Sequence, residues 1–190
     1  MTVVASADSV SQENSSYLTL NGVITVTSYS ENIHKYSAPG WGLGAGFARD
    51  LGNYARLVVE GTYQRFAVDK ERVYSNRTNS ESWPIQADAS QVYEGRVGFQ
   101  IAFTTNAVRP YASIGGGAML LKSGTISFSR VDPSIVRGGS SQTLGFVFLG
   151  LGLEFPVADF LSSSVSTEIS TPFNIKGVSL PITSRWYFRL

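Results

Sequence analysis

The chain has no cysteine among its 190 residues. This excludes a disulfide framework, a thiolate metal centre and a cysteine nucleophile. His34 is its one histidine, so no metal site is expected. Charge is also scarce: Asp, Glu, Lys and Arg make up 15% of the residues, against roughly 25% in a typical soluble domain. The formal net charge is only +1, so nothing in the bulk electrostatics points to nucleic acid. Long apolar runs are absent as well. No stretch of about 18 apolar residues occurs, and no transmembrane helix is expected.

The N-terminus lacks the basic segment and the apolar core of a complete export signal. Two readings of Val3-Val4-Ala5-Ser6-Ala7 stand: the small-residue end of such a signal, or an artificial start at Met1. Residues 1–15 are polar and irregular and read as a flexible lead-in. Residues 16–190 then form one domain of ordinary size.

Glycine, serine, threonine and aromatic residues are plentiful, and they are arranged with period two, the strand signature. Val178, Leu180, Ile182, Ser184, Trp186, Phe188 and Leu190 share one face of the last segment. Ser179, Pro181, Thr183, Arg185, Tyr187 and Arg189 share the other. Segment 92–103 sets Tyr93, Val97, Phe99, Ile101 and Phe103 against Glu94, Arg96 and Gln100, and segment 161–170 alternates in the same way. Segments near 17–28, 40–49, 54–66, 109–121 and 143–155 fit with less contrast, because glycines fill one face. Eight strands are predicted. The connections alternate between tight (50–53, 104–107, 156–159) and long and polar (29–39, 67–90, 122–142, 171–177). Short turns on one rim and long loops on the other are the pattern of outer-membrane barrels.

Alternation does not say which face is outside, but volume does. The interior of an eight-stranded barrel is just wide enough for side chains to fill. The apolar faces carry too many large residues to fit there at protein packing density. The small polar face fits, so the apolar face is assigned to lipid. Closure follows, because an open sheet edge in hydrocarbon strands polar backbone groups. The expected fold is all-β: a closed eight-stranded antiparallel up-and-down transmembrane barrel. Trp41, Tyr54, Tyr93, Phe103, Phe155, Trp186 and Phe188 fall near the expected rims and suit an aromatic girdle.

The chain resembles the OmpA/OmpX-type outer-membrane β-barrel family. The resemblance is carried by Gly40-Trp41-Gly42-Leu43-Gly44-Ala45-Gly46-Phe47 and Val58-Val59-Glu60-Gly61-Thr62-Tyr63. It continues in Arg109-Pro110-Tyr111-Ala112-Ser113-Ile114-Gly115-Gly116-Gly117 and in Arg185-Trp186-Tyr187-Phe188-Arg189-Leu190, and it extends over about 17–190. It implies an integral outer-membrane location in Gram-negative bacteria, with outer-membrane lipid, lipopolysaccharide and the outer-membrane assembly machinery as partners. Family members end in an aromatic residue that this machinery reads. Here the chain ends in Leu190, with Phe188 on the same face. The resemblance implies no single activity, since fold does not set function.

Candidate chemistry is sparse. By register Arg56, Glu60, Glu94, Arg96, Glu154, Glu168, Arg185 and Arg189 point into the barrel, where charges must pair. A structural reading makes them a polar plug; a functional one makes them a gated ion path or a proton-handling pair. His34, within Glu31-Asn32-Ile33-His34-Lys35-Tyr36, stands in no motif matching lipid A deacylases or palmitoyltransferases. The glycine runs lack the helix and Lys-Ser/Thr of a phosphate loop and suit close packing instead. Charged loop residues (Asp69, Lys70, Glu71, Arg72, Arg77, Lys122, Arg130, Asp132, Arg137) are solvated surface, or contacts for lipopolysaccharide phosphates or a host protein. The expectation is a monomeric, non-enzymatic barrel without cofactor, catalytic residue or metal. Its structural, adhesive or surface-protective role would lie in the extracellular loops. The alternatives are a lipid-modifying enzyme, a narrow pore and a soluble ligand-binding barrel.

Overall fold

The period-two segments fold into long strands whose outward residues are apolar and whose inward residues are small or polar. The computed structural model describes residues 14–29, 37–69, 71, 85–128, 135–137, 139–173 and 177–190. The strands are β1 (Ser16–Tyr29), β2 (Gly40–Asp50), β3 (Ala55–Phe66), β4 (Ile85–Ala87), β5 (Ser90–Ala102), β6 (Arg109–Lys122), β7 (Ile126–Phe128), β8 (Ile135–Arg137), β9 (Ser141–Ala158), β10 (Leu161–Pro172) and β11 (Gly177–Arg189). The eight long ones close into a barrel in the order β1-β11-β10-β9-β6-β5-β3-β2, every pair antiparallel. The last strand pairs with the first along its length, from Tyr17 opposite Arg189 to Tyr29 opposite Gly177.

Strands of 11 to 18 residues exceed the roughly 9–11 that a tilted strand needs to cross hydrocarbon. Among the described residues no helix is long and apolar enough to cross a membrane; here strands have the length to do so. Tight turns at 51–54, 103–108 and 159–160 join strands at one end. Gly52 takes a positive φ of 92° in the first of these, a conformation that side chains with a Cβ resist. The third turn is shorter than expected, because β9 continues through Pro156 to Ala158 and bulges against Leu161/Ser162. The start of β1 and the end of β11 lie on this side, where the Leu190 amide donates to the Ser16 carbonyl at 2.9 Å.

The sequence reading missed three strands. β4 lies in the second long connection, β7 and β8 in the third, and they form one sheet in the order β4-β7-β8. Ile85 pairs with Phe128 and Ala87 with Ile126, so the two loops are tied by backbone hydrogen bonds. Each strand has three residues, too short for alternation to be seen. The first and second connections also meet, at the Ser37–Val68 bridge and through the Ala38 amide, which donates to the Ala67 carbonyl.

Candidate functional site: a filled lumen beneath joined loops

Burial is inverted relative to a soluble protein. Leu149, Leu151, Leu43 and Ile182 are 55–64% exposed, whereas Glu60, Glu168 and Arg185 are 2–3% exposed. A soluble protein does not expose a continuous apolar band around its circumference. Lipid is the solvent that satisfies this surface.

The lumen is filled in layers. Nearest the long loops lies an apolar lid of Phe66, Val92, Met119, Leu121, Leu144, Phe146 and Phe148. The sequence reading placed only small and polar residues here. In β6 and β9 both faces are apolar near the loops, as in Met119-Leu120-Leu121, so alternation disappears. Glycines make room for the rings: a Cβ on Gly98 or Gly115 would lie 2.6 Å from the Phe148 ring.

Below the lid, Glu60 is the hub of a charged cluster. Arg185 donates to it through Nε at 2.6 Å and Nη2 at 3.0 Å. Arg96 donates through Nη2 at 2.8 Å and Nε at 3.1 Å. Arg96 Nη1 also reaches Glu168 at 2.6 Å, and Glu94 stands 3.9 Å from the same nitrogen. The Gln64 amide donates to Glu94, and Thr25 donates to Gln64 at 2.7 Å. These groups come from β1, β3, β5, β10 and β11, so the cluster cross-links strands far apart in sequence. Small residues permit it: a Cβ on Gly46 would meet Glu60 Cγ at 2.7 Å, and one on Gly150 would meet Glu168 Cγ at 2.5 Å.

A second cluster lies at the short-turn end. Arg56 Nε donates to Asp50 at 2.7 Å and its Nη1 to both Glu154 oxygens at 3.1 Å. Its guanidinium packs against both the Tyr17 and the Tyr187 ring, 4.5 and 4.6 Å from their centroids. Tyr17 donates to Asp50 and Ser162 to Glu154, both at 2.8 Å. Between the clusters, Gln100 donates to the Tyr187 hydroxyl at 2.9 Å. The void among Val58, Glu60, Arg96, Ser113, Phe148 and Arg185 is about 10 Å³, on the scale of roughly one water molecule.

Seven of the eight expected interior charges therefore lie in these two clusters. Arg189 is the correction. It keeps inward register with Tyr187, but it is exposed at the short-turn rim, one residue from the strand's end. Asp50, expected in a turn, belongs to β2 and completes the Arg56 cluster. Register parity gives the face of such residues but not whether the barrel wall extends past them. Of the aromatic residues singled out, Trp41 and Tyr93 lie outward at the long-loop end, and Tyr54, Phe103, Phe155, Trp186 and Phe188 lie at the short-turn end. His34 lies outside the described residues. Among the described residues no group of three or more His, Asp or Glu is arranged to hold a metal.

Fold and surface together define a small transmembrane β-barrel. No protein-family model and no curated protein sequence matches the chain. Solved structures do match. Neisserial surface protein A (NspA) aligns with a TM-score of 0.59 at 15% identity, over 92% of this chain and 97% of its own. A major outer membrane protein from Thermus thermophilus aligns with a TM-score of 0.59 at 10% identity, over 92% and 99%. Ail, the attachment invasion locus protein of Yersinia pestis, aligns with a TM-score of 0.53 at 15% identity, over 94% and 99%. At these identities the likeness is one of fold: the chain has the fold of the small OmpA/OmpX-type outer-membrane barrels.

Proposed function

We propose that the protein is a non-enzymatic integral protein of the bacterial outer membrane, whose long loops carry a structural, adhesive or surface-protective role. The observation that carries this reading is the filled lumen beneath loops joined to one another by β-pairing. A barrel whose described lumen is filled by an apolar layer and paired charges is a rigid stem for its loops. The pairing of Glu60 and Glu168 with buried arginines supports a structural rather than an acid–base role for them.

Ail has also been solved with the heparin analogue sucrose octasulfate. A polysulfated sugar is accordingly the first loop ligand to test. Cells displaying the full chain are expected to adhere to heparin-coated surfaces, and cells displaying a chain shortened in the second and third long connections are expected not to. Equal adherence by both would remove the loops from this role. The filled lumen further predicts that the protein in planar bilayers gives no discrete conductance steps. Regular single-channel openings would favour the pore reading.

A further inference from the structure

The barrel wall is uneven at its short-turn end. On the β6 side the pairing of β9 stops at Glu154, which stands opposite Arg109. On the β10 side it runs on to Ala158, opposite Leu161. Among the described residues, 155–158 therefore have a strand partner on one side only. Across from this open edge lies the turn between β5 and β6. Asn106, Ala107 and Arg109 on one side and Pro156 and Ala158 on the other bound a cleft of about 230 Å³.

Arg109 is the cation of this cleft whose charge is left unanswered. It lies half-buried on the inward face of β6 with Tyr111 and Ser113, an inward charge that the sequence reading left out. Its Nη2 donates to the Asn53 carbonyl at 3.0 Å. Its Nε is buried and has no hydrogen-bond partner among the described residues. Glu154, opposite it in register, is taken: both of its oxygens accept from Arg56, and one also accepts from Ser162. Arg56, Arg109 and Arg189 face two acids in the cleft, Glu154 and Asp159, so one positive charge is in excess.

Pro156 limits what the open edge takes. It has no N–H, so a full strand does not add there. Its carbonyl remains as an acceptor. Alternate residues of a strand turn their N–H and C=O to opposite neighbours. The Gly145 carbonyl of β9 accepts from Phe173 at the end of β10, so the even-numbered residues, Pro156 among them, turn theirs toward β6 and the cleft.

We propose that this cleft binds the free C-terminal end of an extended peptide in the periplasm. The terminal carboxylate accepts from the Arg109 guanidinium, the last peptide N–H donates to the Pro156 carbonyl, and an apolar last side chain rests on Phe160 and Leu161, which also line the cleft. A half-buried guanidinium without an acid complements a carboxylate. One backbone acceptor with no donor beside it fits the last residue of a chain and not a strand passing through. The cleft is smaller than the roughly 300–1,000 Å³ of a drug-sized pocket, so it admits the end of a peptide and not its length. The assignment rests on the outer-membrane reading, which places the short-turn end in the periplasm.

The test is fluorescence anisotropy of the peptide Ala-Ala-Ala-Leu, labelled at its N-terminus and titrated with the detergent-folded barrel. The comparisons are the same peptide with a C-terminal amide, the variants Arg109→Gln and Ala107→Trp, and a chain lacking residues 1–13. Heat-dependent gel mobility of each sample establishes that the barrel is closed. The expected result is a loss of at least tenfold in affinity for the amide, for Arg109→Gln and for Ala107→Trp, whose ring fills the cleft. The shortened chain is expected to bind as the full chain does, and acetate is expected not to compete. Equal binding of acid and amide, or of wild type and Arg109→Gln, would overturn the site. Equal binding by Ala107→Trp would overturn the peptide's placement. Displacement by acetate would assign the cleft to a free small carboxylate and overturn the peptide. Binding seen only in the shortened chain would overturn it too, by making the residues before β1 the occupant. A wild type showing no heat-dependent shift would instead sink the outer-membrane reading itself.

Discussion

Replacing Glu60 by glutamine is expected to destabilise the folded barrel by about 3–5 kcal/mol, the range for removing one partner from a buried ion pair. The carboxylate accepts from two guanidinium groups on two other strands, and both arginine side chains are at most 8% exposed. Glutamine keeps the shape but removes the charge that both arginines share. Glu168 still reaches Arg96 at 2.6 Å, but it lies 3.8 Å from Arg185. Arg185 loses most, since its Nη1 has no hydrogen-bond partner among the described residues even in the intact cluster. Urea unfolding in lipid vesicles measures the effect as a lower midpoint with an unchanged slope. A loss below about 1 kcal/mol, the level of an exposed ion pair, would mean that water reaches the arginines and that the lumen is open.

Placing an arginine at Leu149 is expected to cost about 2–4 kcal/mol, the range for a cation on the lipid face at the bilayer midplane. Leu149 lies midway along β9 and is 60% exposed. In water an exposed substitution of this kind stays within about 0.5 kcal/mol. The same change at Val157, exposed near the end of β9, is expected to cost only about 0–1 kcal/mol, because it lies at an interface. A steep difference between the two positions, read by the same unfolding experiment, identifies hydrocarbon as the solvent. Equal and negligible effects would identify water.

The wall of the barrel is legible in the sequence where one face is apolar and the other polar. Along β11 the outward Leu180, Ile182 and Trp186 and the inward Thr183, Arg185 and Tyr187 separate cleanly. In β2 and β6 glycine blurs the period for a physical reason: Gly46 is the space taken by Glu60, and Gly115 the space taken by Phe148. The inward charges were readable by parity because the side-chain period is two residues and the strands are long. The apolar lid was not readable. Phe146 and Phe148 are as hydrophobic as the outward Val147 and Leu149 between and beside them, so a local window holds no contrast. Nor was the loop sheet, whose strands depend on a partner loop distant in sequence. The neighbourhood of Arg65 and Lys122 likewise requires register across three strands, which no single segment contains: Arg65, Gln91 and Lys122 become neighbours only once the sheet is paired.

A closed barrel that turns its apolar face to lipid is tested most directly by folding the purified chain in detergent micelles and comparing its gel mobility with and without boiling. A heat-dependent shift, together with insolubility of the folded form in plain buffer, is the expected result. A stable monomer in plain buffer with no shift would contradict the assignment of the faces, because a surface carrying Leu43, Leu149, Leu151 and Ile182 would then have to be compatible with water.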